Sequence, residues 1–191
     1  MQAPAPKSVF FYLQIILAGL FILLFLIHLF FKKSEKLPNY YPMPDFTLTE
    51  RSGRQITKDT LAGKVWIADF IFTRCTGQCP MMSNQMKRLG REMKNISFIS
   101  FSADPEFDTP EVLSNYASTY GADQARWLFV TGPKQEINRV ATGLKFSRID
   151  EPMMHSVSFV LIDRKGNVRG TYDTDDAVRV NRLKRDAQML L

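Results

Sequence analysis

The stretch KVWIADFIFTRCTGQCPMM, residues 64 to 82, decides the fold. Its first half is a nearly continuous apolar run rich in β-forming residues, the pattern of a strand covered on both faces. Past Pro80 the period changes, and Met82, Met86, Leu89 and Met93 recur at helical spacing, with Lys87, Arg88 and Arg91 left for the outer face. This methionine stripe reads as core packing. A buried strand feeding straight into a helix leaves a short loop between them, and that loop holds both cysteines of the chain, Cys75 and Cys79.

The same alternation continues outward. Asn95 to Ser102, NISFISFS, reads as a second buried strand, and a helix follows whose start is marked by Thr109 as cap and Pro110 in the first turn. RWLFVTG predicts a third strand and PKQEINRVATGL a third helix. Upstream, DFTLTERSGRQIT predicts a hairpin turning at Ser52-Gly53, so the folded unit is expected to begin near Asp45. Downstream, MMHSVSFVLIDRKGNVRGTYD gives two strands joined by a turn at 163–167, and a last helix runs from about Asp175 to Met189. Strands alternating with helices and ending in a hairpin plus helix describe an α/β fold of the thioredoxin type, a central mixed sheet flanked by helices, over residues 45–191.

The amino-terminal part is of another kind. From Val9 to Phe31 no residue is charged, and only Gln14 and His28 are strongly polar. A helix over 9–31 is long enough for a hydrocarbon core of about 30 Å. A cleaved signal peptide fits less well, because the apolar run is too long and Lys32, Lys33, Ser34 and Glu35 replace the small residues of a cleavage site. The reading is therefore a short segment 1–8, a transmembrane anchor 9–31 and, from its charges and three prolines, an extended tether 32–44. Lysine counting, Lys7 against Lys32, Lys33 and Lys36, leans towards a cytoplasmic domain.

The chain carries 25 Lys and Arg against 19 Asp and Glu, for a net charge of +6. Because these cations are scattered and neither an arginine tract nor an RNA-binding aromatic signature is present, a nucleic-acid partner is not expected.

Near a helix N-terminus, unpaired backbone N–H groups and the helix dipole favour the thiolate, and Arg74 adds a positive charge. Thiolates are the nucleophiles of disulfide exchange and also soft copper ligands, so both chemistries stay open. A purely structural disulfide closing so small a loop would restrict the unfolded chain little. Structural zinc wants four protein ligands, more than the folded part offers. His155, the one histidine there, stands just before the strand 156–162; with the two thiolates it would make a three-coordinate set suited to Cu(I) and able to hold Cu(II).

From about Tyr41 onward the chain resembles the Sco (SenC/PrrC-like) copper proteins of cytochrome c oxidase assembly, on FTRCTGQCP (72–80), SADPEFDTPEVL (102–113) and HSVSFVLID (155–163). The resemblance implies a thioredoxin-like domain hung from one transmembrane helix on the periplasmic side of the inner membrane or its equivalent, against the lean of the lysine count. It also implies copper held by Cys75, Cys79 and His155, and an acidic residue near the metal. Of the two acids in that stretch, Asp104 is the candidate for that place, while Asp108 is assigned to helix-start chemistry with Thr109 and Pro110. Two departures stand out: Thr76 where many members have proline, and Ile71 where they have glycine.

The leading expectation is a membrane-anchored metallochaperone that delivers copper, as Cu(I) or Cu(II), to the copper-acceptor subunit of a respiratory oxidase, and that reduces a disulfide there to thiols as an accompanying task. The alternative is a thiol-disulfide reductase or redox sensor working through the Cys75/Cys79 pair without obligatory metal. A peroxiredoxin-type peroxidase is disfavoured because Ala68 and Phe72 replace the Pro and Thr or Ser that its motif needs.

Overall fold

A computed structural model describes residues 7–30, 37–146 and 157–191, with the side chains of the first stretch described from Phe10 to Phe25. It divides into two units, residues 1–36 and 37–191. In the first, helix α1 spans Lys7–Phe30. Its described side chains are exposed, Phe10 at 74% and Phe21 at 72%, and apart from Gln14 they are largely apolar. Among the described residues no helix is long and apolar enough to cross a membrane. His28 and the polar residues that follow lie outside the described side chains.

The second unit is a mixed α/β domain. Its strands are β1 (Tyr41–Pro42), β2 (Thr47–Glu50), β3 (Gln55–Thr57), β4 (Trp66–Ile71), β5 (Ser97–Ser102), β6 (Trp127–Thr131), β7 (Ser158–Ile162) and β8 (Asn167–Asp173). They form one sheet in the order β1-β8-β7-β4-β5-β6-β2-β3. β4, β5 and β6 run parallel, and β7 and β2 flank them antiparallel. The helices are α2 (Lys58–Leu61), α3 (Gln78–Glu92), α4 (Pro110–Thr119), α5 (Lys134–Gly143) and α6 (Ala177–Gln188). The thioredoxin-like layout expected from the strand and helix periodicities is the one observed.

Parallel strands need helical crossovers, and those helices cover both faces of the sheet, so all six residues of β4 and all six of β5 are buried. Alternate residues of β4 then serve two cores. Trp66, Ala68 and Phe70 join Phe46, Phe101 and the α5 residues Ile137 and Val140 on one face. Ile67 and Ile71 join Met82, Met86 and Leu89 of α3, Leu113 of α4 and Leu183 of α6 on the other. The methionine stripe is therefore core packing, Met86 being fully buried. By the same alternation Asp69 points to the α3 face.

The sheet reaches into the segment read as tether. Tyr41 and Pro42 pair with Val168 and Asn167 of β8, Met43 is buried, and a Cβ placed on Gly143 of α5 would run into the Pro44 ring. Composition alone suggested an extended linker because the partners of these residues lie more than a hundred positions away.

Candidate functional site

The loop from Phe72 to Gly77 joins β4 to α3. The helix begins at Gln78 with Gly77 as its cap, two residues before the proline that marks it in the sequence, so Cys79 lies inside the first turn. Proline is tolerated there because the first helical N–H groups have no intrahelical acceptor. Cys75 is half-buried, Cys79 is buried, and both are free thiols.

The first turn of α3 is turned towards Cys75. Burial pushes this thiol up, but hydrogen bonds donated by the backbone N–H groups of Cys79, Gly77 and Gln78 and by the Cys79 thiol outweigh it and hold Cys75 below the usual thiol range. Cys79 goes the other way. Its burial dominates; the Phe72 N–H relieves part of this, while the neighbouring Cys75 and the Asp69 carboxylate oppose ionisation further, and the thiol is pushed up to about 12. Two sulfurs in hydrogen-bond contact thus differ in acidity, Cys75 ionising more easily than an ordinary thiol and Cys79 less easily.

Arg74 does not supply the charge expected of it. Its guanidinium forks onto the Asp104 carboxylate, with Nε donating at 3.0 Å and Nη2 closing the pair, and it lies over the Phe107 ring at 4.5 Å. The cation beside Cys75 is therefore balanced by Asp104, which reaches the cysteine loop through Arg74.

Asp108 does more than start a helix. Thr109 makes the cap, accepting from the Val112 N–H at 3.2 Å. The fully buried Asp108 carboxylate instead receives the Thr73 hydroxyl at 2.5 Å, the Thr73 N–H at 3.3 Å and the Ser102 hydroxyl at 2.6 Å. β4 and β5 are parallel neighbours with Ile71 opposite Ser102, so the loops leaving them emerge side by side, and Asp108 ties the second to the first. Sequence reasoning undervalued this residue because the local cap signature accounted for it.

Asp69 was passed over as well, although a lone acid in an apolar strand is itself a signal. It is fully buried, and burial raises its carboxyl to about 7, the Ser100 hydroxyl opposite it on β5 offsetting only part of this.

His155 lies outside the described residues. β7 begins three positions later at Ser158 and runs antiparallel to β4 with Val160 opposite Ala68, so the chain enters β7 at the end of the sheet where β4 leaves for the cysteines. Val157 and Cys75 pack against the same core. Among the described residues no set of three His, Cys, Asp or Glu side chains could hold a metal ion. A cavity of ≈ 220 Å³ lined by Phe98, Tyr120 and Trp127 lies along α3 and holds neither cysteine.

Comparison with known proteins bears on this site. The family described as SCO1/SenC matches residues 35–188. The SCO1 protein homolog of Bacillus subtilis (strain 168) is 34% identical over 148 residues, covering 72% of this chain and 77% of that protein. A protein of Stutzerimonas stutzeri provisionally described as copper-binding is 29% identical over 146 residues, 70% of each chain. Among solved structures, BsSco, described as a Sco family member of the cytochrome c oxidase assembly proteins with a disulfide switch, superposes with a TM-score of 0.71 at 30% identity, covering 82% of this chain and 96% of its own.

Proposed function

Because the chain belongs to the SCO1/SenC family, we propose that it is a membrane-anchored copper metallochaperone delivering its cargo to the copper centre of a respiratory cytochrome c oxidase. Copper would be held by the Cys75 and Cys79 thiolates and the His155 imidazole. The carrying observation is the pair of sulfurs in hydrogen-bond contact at the first turn of α3, with the N–H groups of that turn donating to Cys75. Two soft anionic donors at one point suit Cu(I), and an imidazole added at the mouth of β7 would extend the set to Cu(II). The uncharged run 9–31 supports a single anchoring helix, and the family resemblance supports a domain outside the cytoplasm.

The unequal acidities of the two thiols favour a second role. A thiolate at Cys75 can attack a partner's disulfide while the less acidic Cys79 waits to resolve the mixed disulfide, so reduction of the acceptor's cysteines fits the same loop.

The test is Cu(I) loading of the full chain in neutral detergent under reducing conditions, read by chelator competition. One tightly bound Cu(I) per chain is expected, lost in Cys75→Ser and Cys79→Ser and after oxidation of the pair to a disulfide. A reduced chain that binds no Cu(I), or tight binding surviving complete oxidation, overturns the copper reading.

A further inference from the structure

Helix α3 carries more than Cys79. Met81, two residues further on, is 63% exposed. Beyond it Lys87, Arg88 and Arg91 line up along the outer side at helical spacing, Lys94 follows just past the end of the helix, and Arg88, Arg91 and Lys94 are exposed. Among the described residues none of these four cations has an ion-pair partner. Glu92, the only acid of α3, is occupied by Lys184 of α6 at 2.6 Å. The contrast with α6 is informative: of its four cations Arg179 faces Asp173 and Asp176, Arg182 faces Asp186 and Lys184 faces Glu92, and among the described residues Arg185 alone of them has no ion-pair partner. A generally basic surface would leave both helices alike. Met81, Asn84, Gln85, Lys87, Arg88 and Arg91 also border a shallow depression of ≈ 510 Å³, so the ridge has relief as well as charge.

We infer that this face of α3 is a docking surface for an acidic protein partner, the macromolecule that exchanges thiols or copper with the cysteine pair. The inference rests on the proposed function only in placing an exchanging partner at the cysteines. Unpaired cations on the helix that bears Cys79 act as a long-range guide: they raise the rate of encounter with an acidic surface, orient it along α3 and bring its edge to Met81 and the cysteine loop. A lipid surface is the less suitable occupant, since headgroups laid along the ridge would close the approach that a partner protein needs.

The experiment uses the full chain in neutral detergent with Cys75 and Cys79 oxidised. Three synthetic peptides, each with one cysteine flanked by Asp and Glu, by Lys and Arg, or by Ser and Gly, serve as probes. A peptide thiolate attacks one sulfur of the Cys75–Cys79 bond, a mixed disulfide forms and the other cysteine leaves as thiolate; the mass increase gives the rate. Each rate is normalised to that peptide's reaction with 2-hydroxyethyl disulfide, which removes differences in intrinsic thiol reactivity. The acidic peptide is expected to react about tenfold faster than the basic one at low salt, with the ratio collapsing towards unity at high salt.

The combined variant Lys87→Glu/Arg88→Glu/Arg91→Glu should invert that ratio, and the Gln/Gln/Gln version, gentler to folding, should bring it close to one. A ratio unchanged in both overturns the inference. A remote set with the same change of charge, Arg54→Glu/Lys64→Glu/Lys165→Glu at the opposite end of the sheet, should keep the preference; if it loses as much, net charge rather than α3 is responsible. Acetylation of Lys87 and Lys94 in lipid discs should not differ between phosphatidylcholine and phosphatidylglycerol; protection by phosphatidylglycerol would assign the ridge to lipid and overturn the protein partner. No readout involves copper, so a chain that fails to bind copper yet keeps the charge preference loses the chaperone reading and not this one.

Discussion

Thr73 and Asp108, 35 positions apart, are joined by a 2.5 Å hydrogen bond from hydroxyl to buried carboxylate, and this bond fixes the loop that presents Cys75. Asp108→Ala removes the shared acceptor of the Thr73 hydroxyl, the Thr73 N–H and the Ser102 hydroxyl. Bonds to a buried charge lost together, with their donors stranded, cost about 3 kcal/mol. The expected outcome is a lower denaturant midpoint, with Cu(I) affinity reduced about tenfold as the loop loosens. Asp108→Asn keeps two acceptor lone pairs and the shape, and should lose about half as much stability. Wild-type stability in the Ala variant would show that the clasp carries no load.

The two cysteines should be separable by alkylation. Hydrogen bonds from the first turn of α3 hold Cys75 below the usual thiol range, whereas burial drives Cys79 to about 12. The thiolate is the reacting form, so iodoacetamide at about pH 7.5 should label Cys75 at least tenfold faster than Cys79, as mapped by peptide mass. In Cys79→Ser the fast reaction persists, and in Cys75→Ser the remaining thiol stays slow. Equal labelling would contradict the assignment of Cys75 as attacking thiol.

Asp69 should make stability fall with rising pH. Its folded carboxyl titrates at about 7 against an ordinary value of 3.8, because burial penalises the charge. A raised carboxyl contributes stability fully present below the unfolded value and lost as pH climbs through the folded one. Linkage puts that loss at about 2 kcal/mol between about pH 5 and about pH 7.5. Asp69→Asn cannot ionise, so its thermal midpoint should be the flatter one over this window and should exceed the wild-type midpoint at the upper end. Parallel pH profiles for the two proteins would place the titrating group elsewhere.

Local chemistry and long-range chemistry were unequally legible in the sequence. The switch from a six-residue buried strand to the Met82, Met86 and Leu89 spacing disclosed β4, α3 and the loop between them, because each element's period is written in consecutive residues. The Thr109–Pro110 cap was legible for the same reason. Asp108 misled, since its partners Thr73 and Ser102 belong to other elements while a plausible local role stood next to it. Arg74 misled likewise, its charge being answered by Asp104 from the loop after β5. The edge strand at Tyr41–Pro42 depends on β8 and could not announce itself in a proline-rich segment.

His155 carries the sharpest division between copper binding and disulfide exchange. Disulfide exchange requires the two thiols, which sit on the β4–α3 loop and in the first turn of α3. Cu(I) accepts two thiolates in a near-linear pair, whereas Cu(II) wants a nitrogen donor and more ligands. His155→Ala should therefore fold, exchange disulfides at nearly the wild-type rate, bind Cu(I) more weakly and lose the thiolate-to-Cu(II) absorption. Titrating both copper valences against iodoacetamide reactivity in the same variant separates the two roles. Unchanged binding of both valences would remove His155 from the ligand set and leave the thiol pair as a reductase centre.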